Sequence, residues 1–210
     1  MNEKKYFALK YSDDAPGCPT YLAAELNPTE REWDLFVPDP SNIKVQKKYT
    51  LKITDPDISS IDFDMDSGDQ KYVSQQFLDI CDSLNVPYKA IPLEIKFSNG
   101  ERSKKDYFFF LPGLSLQLLN RSLSTFEEEM VLGSDQIQMN RIFPECPIYA
   151  KISKFVPLQI QTGNLFFCIE TFELVCTSEF RDAATKNGLV GISYTAIDEN
   201  YIYDAWGDNS

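Results

Sequence analysis

The sequence contains no histidine. Histidine titrates nearest to neutral pH and is the commonest general base. Its absence removes every Ser-His-Asp and Cys-His nucleophile arrangement, and every zinc site with an imidazole ligand. Carboxylate pairs, Ser-Lys arrangements and all-oxygen metal sites stay open. Cysteine is sparse. Cys18, Cys81, Cys146, Cys168 and Cys176 are odd in number and show no CxxC spacing, so neither a secreted disulfide framework nor a four-cysteine zinc ribbon is expected. Cys81, Cys168 and Cys176 fall inside apolar patterns and read as small core hydrophobes. No run approaches the roughly 18 apolar residues of a membrane span, and the start, MNEKKYFALKYS, lacks the apolar stretch of a signal peptide. A cytoplasmic protein is expected. Phosphate loops, nucleophile elbows and dinucleotide fingerprints are missing too. Gly188 and Gly191 resemble part of a glycine motif, but Gly188 ends a helical pattern rather than opening one.

What is abundant is negative charge. The 210 residues carry 20 Lys+Arg against 32 Asp+Glu, a net charge of -12. Such an excess repels phosphate backbones and anionic lipid, which speaks against nucleic acid and membrane as partners. It attracts basic proteins and speeds their arrival. Hydrophobic residues at 43% and aromatics at 13% suffice for a real core in a chain of this size.

The pattern along the chain predicts an α+β fold: a mostly antiparallel sheet with a few short helices packed on it, in a single domain. The domain is placed at 1–204, with a strand- and loop-rich part at 1–60, a core at 61–198 and a tail at 205–210. A strand is expected at 4–11 and a strand or hairpin at 43–53. Residues 20–26 are a short apolar segment of open type, and Pro38 and Pro40 keep the turn-rich stretch 27–42 irregular. In SIDFDMD, Ile61, Phe63 and Met65 alternate with Asp62, Asp64 and Asp66, the signature of a half-buried strand with carboxylates on its polar face. Ser74 then caps a helix whose apolar side is Phe77, Ile80, Cys81 and Leu84. Residues 88–97 and 106–111 form a hairpin about Asn99-Gly100, and Pro92 suggests an edge or a bulge. A short amphipathic helix is expected near 114–120, alternation at 136–143, and paired strands at 148–161 and 164–175. Thr177 or Ser178 caps a second helix that Gly188 closes. A last strand precedes an acidic, aromatic tail that reads as loose.

The candidate site residues are all acidic. Asp62, Asp64, Asp66 and Asp69 form a carboxylate comb suited to a basic partner, with Glu127, Glu128 and Glu129 as a second cluster. The bland reading of both is solvated surface, with the aspartates also complementing a helix N-terminus. A calcium loop fails at two defining places. With Asp62, Asp64 and Asp66 as its first ligands, Gly68 is one place late and Val73 stands where a bidentate glutamate belongs. No catalytic residue, metal ligand or cofactor is singled out. Trp33 lies in a loop and reads as folded back on the core, and Trp206 lies in the tail.

The run YVSQQFLDICDSLNVPYKAIPLEI, followed by YFFFLPG, IFP and LFFCIETFELVCTSEFRDAATKNGLVGISY, resembles the immunity proteins of bacterial polymorphic toxin systems, of the eleventh and forty-third numbered immunity families. The resemblance covers about residues 60–198. It rests on diffuse positions around Ser74, Phe77, Pro92, Tyr107, Ser178, Phe180 and Gly191. It implies an α+β domain that is not an enzyme and that neutralises a cognate toxin by direct stoichiometric binding. The acidic surface independently suits a basic toxin, such as a nuclease. The alternatives from other classes are a histidine-free, carboxylate-dependent hydrolase and a calcium-binding or scaffolding module. The toxin's identity, the surface it meets and the oligomeric state are not set by the sequence.

Overall fold

The computed structural model describes residues 4–66, 71–161 and 163–207. In chain order the first strands are β1 (Tyr6–Tyr11), β2 (Ala24–Asn27), β3 (Tyr49–Ile53), β4 (Met65–Asp66) and β5 (Tyr72–Ser74). Helix α1 (Gln75–Ser83) follows, then β6 (Tyr88–Lys96), β7 (Tyr107–Pro112), β8 (Ser115–Leu116), β9 (Thr125–Glu128), β10 (Tyr149–Lys154), β11 (Leu165–Cys168) and β12 (Glu173–Thr177). Helix α2 (Ser178–Lys186), β13 (Ile192–Ile197) and β14 (Tyr203–Asp204) complete the order. The fold is α+β; among the described residues there are three mostly antiparallel sheets, two α-helices and one 3-10 turn at Pro40–Asn42. By internal contacts it divides into two units. One holds Met1–Leu9, Leu114–Arg181 and Tyr194–Ser210; the other holds Lys10–Gly113 and Asp182–Ser193.

The second unit is built on a six-stranded sheet in the order β2-β3-β6-β7-β5-β4. Successive side chains of a strand point to opposite faces, and β7 shows what that achieves. Tyr107, Phe109 and Leu111 join Tyr49, Leu51, Ile91, Leu93 and Ile95 in one buried cluster. Trp33 folds onto it as expected, edge-on to both Tyr49 and Phe109 with ring centroids 5.1 Å apart. Phe110 points the other way and meets Phe77 of α1. The predicted Ser74 cap is present: its Oγ accepts from the Phe77 amide at 3.2 Å. Asn85, at φ 53°, ends the helix. Pro92 lies in an interior strand rather than at an edge. Its missing N–H costs little there, because pairing with β3 begins only at Leu93.

SIDFDMD departs most from expectation. Only Met65 and Asp66 are in strand. The preceding residues thread between two backbones: the Asp62 amide donates to Gly17 O and the Asp64 amide to Val190 O, both at 2.8 Å. Gly17 and Gly191, at φ 78° and 76°, allow this approach. A Cβ on either would stand 2.7 Å from the Cβ of Asp62 or Phe63, so only glycine fits. Asp64 is fully buried. Its Oδ1 accepts from Ser74 Oγ at 2.6 Å and Lys105 Nζ at 2.8 Å, and its Oδ2 from the Val190 amide at 2.7 Å.

The first unit contains most of the five-stranded sheet β13-β1-β12-β11-β8 and a three-stranded sheet β14-β10-β9. The expected helix near 114–120 is instead the short strand β8, parallel to β11. Among the described residues the expected pairing of 148–161 with 164–175 does not form. β11 and β12 make their own hairpin, while β10 pairs with β9 and β14. A buried carboxylate also organises this unit: Glu170 accepts from the Leu118 and Leu119 amides, each at 2.9 Å.

Two outcomes follow from this burial. Removing one partner of a buried charged pair costs about 3–5 kcal/mol. Asp64→Ala is therefore expected to lower unfolding free energy in urea by about 3 kcal/mol, whereas Asp62→Ala, at an exposed side chain, changes it by less than about 1 kcal/mol. All five thiols are free and buried, and burial pushes Cys146 up to about 12. Ellman's reagent should label none of them rapidly in the native protein and all of them in denaturant.

Candidate functional site

The predicted acidic comb is not assembled. Asp62 is exposed and held by Lys105 Nζ at 3.0 Å. Asp64 is withdrawn into the interior, with both oxygens engaged. Asp66 is half-buried in β4, and Asp69 lies outside the described residues. The physical reason is that residues 61–64 are not a strand, so alternation in sequence does not become alternation between core and solvent. Among the described residues no group of three or more His, Cys, Asp or Glu could hold a metal ion.

A shallow concavity of about 740 Å³ lies on the six-stranded sheet, lined by Lys48, Glu94, Arg102 and Asp106 among others. Its charges are largely satisfied locally. Glu94 pairs with Lys96 and Arg102, each at 2.7 Å, and the Lys96 hydrogen bond holds the Glu94 carboxyl below its ordinary value. A general acid needs the opposite shift.

The second predicted cluster has a different setting. Glu127 is exposed, while Glu128 and Glu129 are half-buried. Glu128 pairs with Arg121 at 2.8 Å. Arg121 is itself fixed over the Phe126 ring at 4.9 Å and accepted by the Tyr149 hydroxyl at 3.0 Å. Immediately after these glutamates the chain leaves the sheet as a finger at 130–139. Its base is a closed ring of backbone hydrogen bonds. The Glu129 amide donates to Ile148 O at 2.8 Å, the Ile148 amide to Gln138 O at 2.9 Å, and the Gln138 amide to Glu129 O at 2.8 Å. Above the ring, the Val131 amide donates to Gln136 O at 2.8 Å, and Gly133 turns the chain at φ 78°. Below it, buried Asn140 accepts from the Ile142 and Phe143 amides.

This braced finger presents apolar side chains to solvent. Leu132 is fully exposed at 101%, and Met130, Val131, Ile137 and Met139 stand at 40–46%. Residues 127–139 carry Glu127, Glu128, Glu129 and Asp135 and no lysine or arginine. Contiguous apolar exposure with a polar rim marks an interaction surface.

The tail, expected to be loose, is partly pinned. β14 pairs with β10 through Asp204 opposite Lys151 and Tyr203 opposite Ile152, and the Ala205 amide donates to Ala150 O at 3.0 Å. The register therefore carries Trp206 toward the start of β10, the end of the sheet where the finger leaves. The Trp206 amide donates to Asp204 Oδ1 at 3.1 Å while the residue remains 77% exposed.

Of the predicted site residues, Glu127, Glu128 and Glu129 lie beside this surface, and Asp62, Asp64 and Asp66 belong to the other unit. The apolar finger itself was missed. Its signal was present in Met130, Val131 and Leu132 running directly into Gly133-Ser134-Asp135, since turns seldom carry such runs unless function needs them. Neither a protein-family model nor a curated protein matches the chain.

The two tryptophans report the arrangement separately. Acrylamide should quench a red-shifted emission component efficiently in the native chain. Trp206→Phe should abolish that component and leave the bluer, protected emission of Trp33.

Proposed function

We propose that this chain is a cytoplasmic inhibitory binding protein that neutralises a basic bacterial toxin, such as a nuclease, by direct stoichiometric contact and without catalysis. The observation that carries the reading is the hydrogen-bonded finger whose exposed apolar side chains lie in a stretch, 127–139, with four carboxylates and no lysine or arginine. Apolar anchors supply affinity when they enter a partner's pocket. The carboxylates match a surface that a nuclease keeps positive for phosphate. An interface of roughly 1,600 Å² with such complementarity reaches nanomolar affinity. The resemblance to immunity proteins over residues 60–198 supports the same reading, as does the net charge of -12.

No helix among the described residues is long and apolar enough to cross a membrane. An inhibitor of an intracellular toxin acts where the toxin's target lies, and the cytoplasm is the compartment that this function requires.

The test is co-expression with the toxin domain that this reading expects to be encoded beside the gene. The expected outcome is rescued growth and a 1:1 complex by light scattering after size exclusion. Unrelieved growth arrest with both proteins present, and no complex on mixing them, would overturn the proposal.

A further inference from the structure

We propose that the end of the three-stranded sheet bearing the finger and Trp206 is one two-pronged docking surface for a basic protein, with Leu132 and the Trp206 indole entering apolar depressions on the same partner. This deepens the inhibitory reading above and rests on its claim that the chain works by protein binding, though not on the partner being a toxin.

The argument begins from what it costs to expose these groups. Leucine and tryptophan each lose about 1.5–3 kcal/mol of burial free energy when left in water. A fold that could hide them at no penalty would do so. Here both are held outward by backbone hydrogen bonds. The ring through Glu129, Gln138 and Ile148 fixes the finger, and the ladder from Tyr203 to Ala205 fixes the approach to Trp206. Both constraints act at the same end of β10: Ile148 directly precedes its first residue, and Ala150 accepts the last ladder bond. Bracing removes most of the entropy that a free loop or tail would lose on binding.

Tryptophan is the residue most enriched at interface hot spots. The charge around the prongs then selects the partner. The segments 127–148 and 203–207 carry six carboxylates (Glu127, Glu128, Glu129, Asp135, Glu145 and Asp204) against one arginine, Arg141, and Arg121 and Lys151 of the same unit are the basic residues set against them. Of these, Glu128 is balanced by Arg121, and Asp204 lies 3.7 Å from Lys151. Glu127 stands opposite Lys151 in the ladder, and no ion pair of Glu129, Asp135 or Glu145 is present among the described residues, which leaves the surface rim with an acidic excess. Anionic lipid is repelled by such a rim, and a second copy of the chain would bring like charge onto like charge. A protein surface with apolar depressions rimmed by lysine and arginine is the occupant that satisfies both features.

The experiment places p-benzoylphenylalanine at Leu132, at Trp206 and, as a control on an equally exposed aromatic of the other unit, at Tyr21. The full chain is irradiated in its native host. The expected result is that Leu132 and Trp206 cross-link to the same protein, that this protein has an excess of lysine and arginine, and that Tyr21 does not reach it. With that protein purified, Leu132→Asp and Trp206→Ala should each weaken binding by about 30-fold or more, with the melting temperature of the variants unchanged. Adducts to different proteins from the two positions, an adduct to an acidic protein or to the chain itself, no adduct, or unchanged affinity in both variants would overturn the proposal. Whether the captured protein arrests growth when expressed alone is a separate readout. A harmless basic partner would sink the toxin reading and leave this surface standing.

Discussion

Asp64 sits where no solvent reaches it, and a carboxylate in that position is tolerable only if each oxygen finds donors. The chain supplies them from distant places: Ser74 at the start of α1, Lys105 at the entry to β7, and the Val190 amide after α2. Meeting this one requirement therefore fixes the cap of α1, the loop between β6 and β7, and the path of the late segment past Phe63. Gly17 and Gly191 are consequences of the same constraint, because the segment bearing Asp64 must pass between them. The other unit uses the same device. Glu170 gathers the Leu118 and Leu119 amides and accepts from the Cys168 thiol at 3.2 Å. A buried acid at a junction of remote segments costs stability if broken and rewards only the arrangement that satisfies it.

The acidic character of the protein thus divides into two kinds. Some carboxylates are spent inside the fold, Asp64 and Glu170 completely and Glu128 through Arg121. Others face water and give the protein its long-range field, which guides association rather than folding. The finger is where field and apolar surface coincide. Neither feature alone would be informative. Acidic runs are usually solvated faces, and single exposed hydrophobes are ordinary. Their coincidence on a segment braced by a closed hydrogen-bond ring is what the proposed binding role rests on.

Much of this was legible in the residues. The Ser74 cap, the hairpin at Asn99-Gly100 and the Gly188 stop are local rules with local causes, and each appears where its residues stand. The packing of Trp33 followed from its need for apolar contact. What failed depended on remote partners. Asp64 looks like Asp62 and Asp66 in sequence, and only Lys105 and Val190, far along the chain, make it an interior residue. The pairing of β10 with β9 and β14, rather than with its neighbour β11, likewise depends on which strands meet in space. The finger is not legible in the periodic pattern because its hydrophobes stand beside a turn, where neither period of two nor period of 3.6 applies.

The claim that an acidic, apolar-tipped surface captures a positively charged partner is tested most directly by the kinetics of capture. Stopped-flow mixing with the purified basic partner that the proposal calls for should give an association rate that falls by at least about tenfold between low and physiological ionic strength, because steering is screened by salt. The dissociation rate, set by the buried apolar contacts, should change little. An association rate indifferent to salt would show that charge does not guide the encounter and would contradict the account.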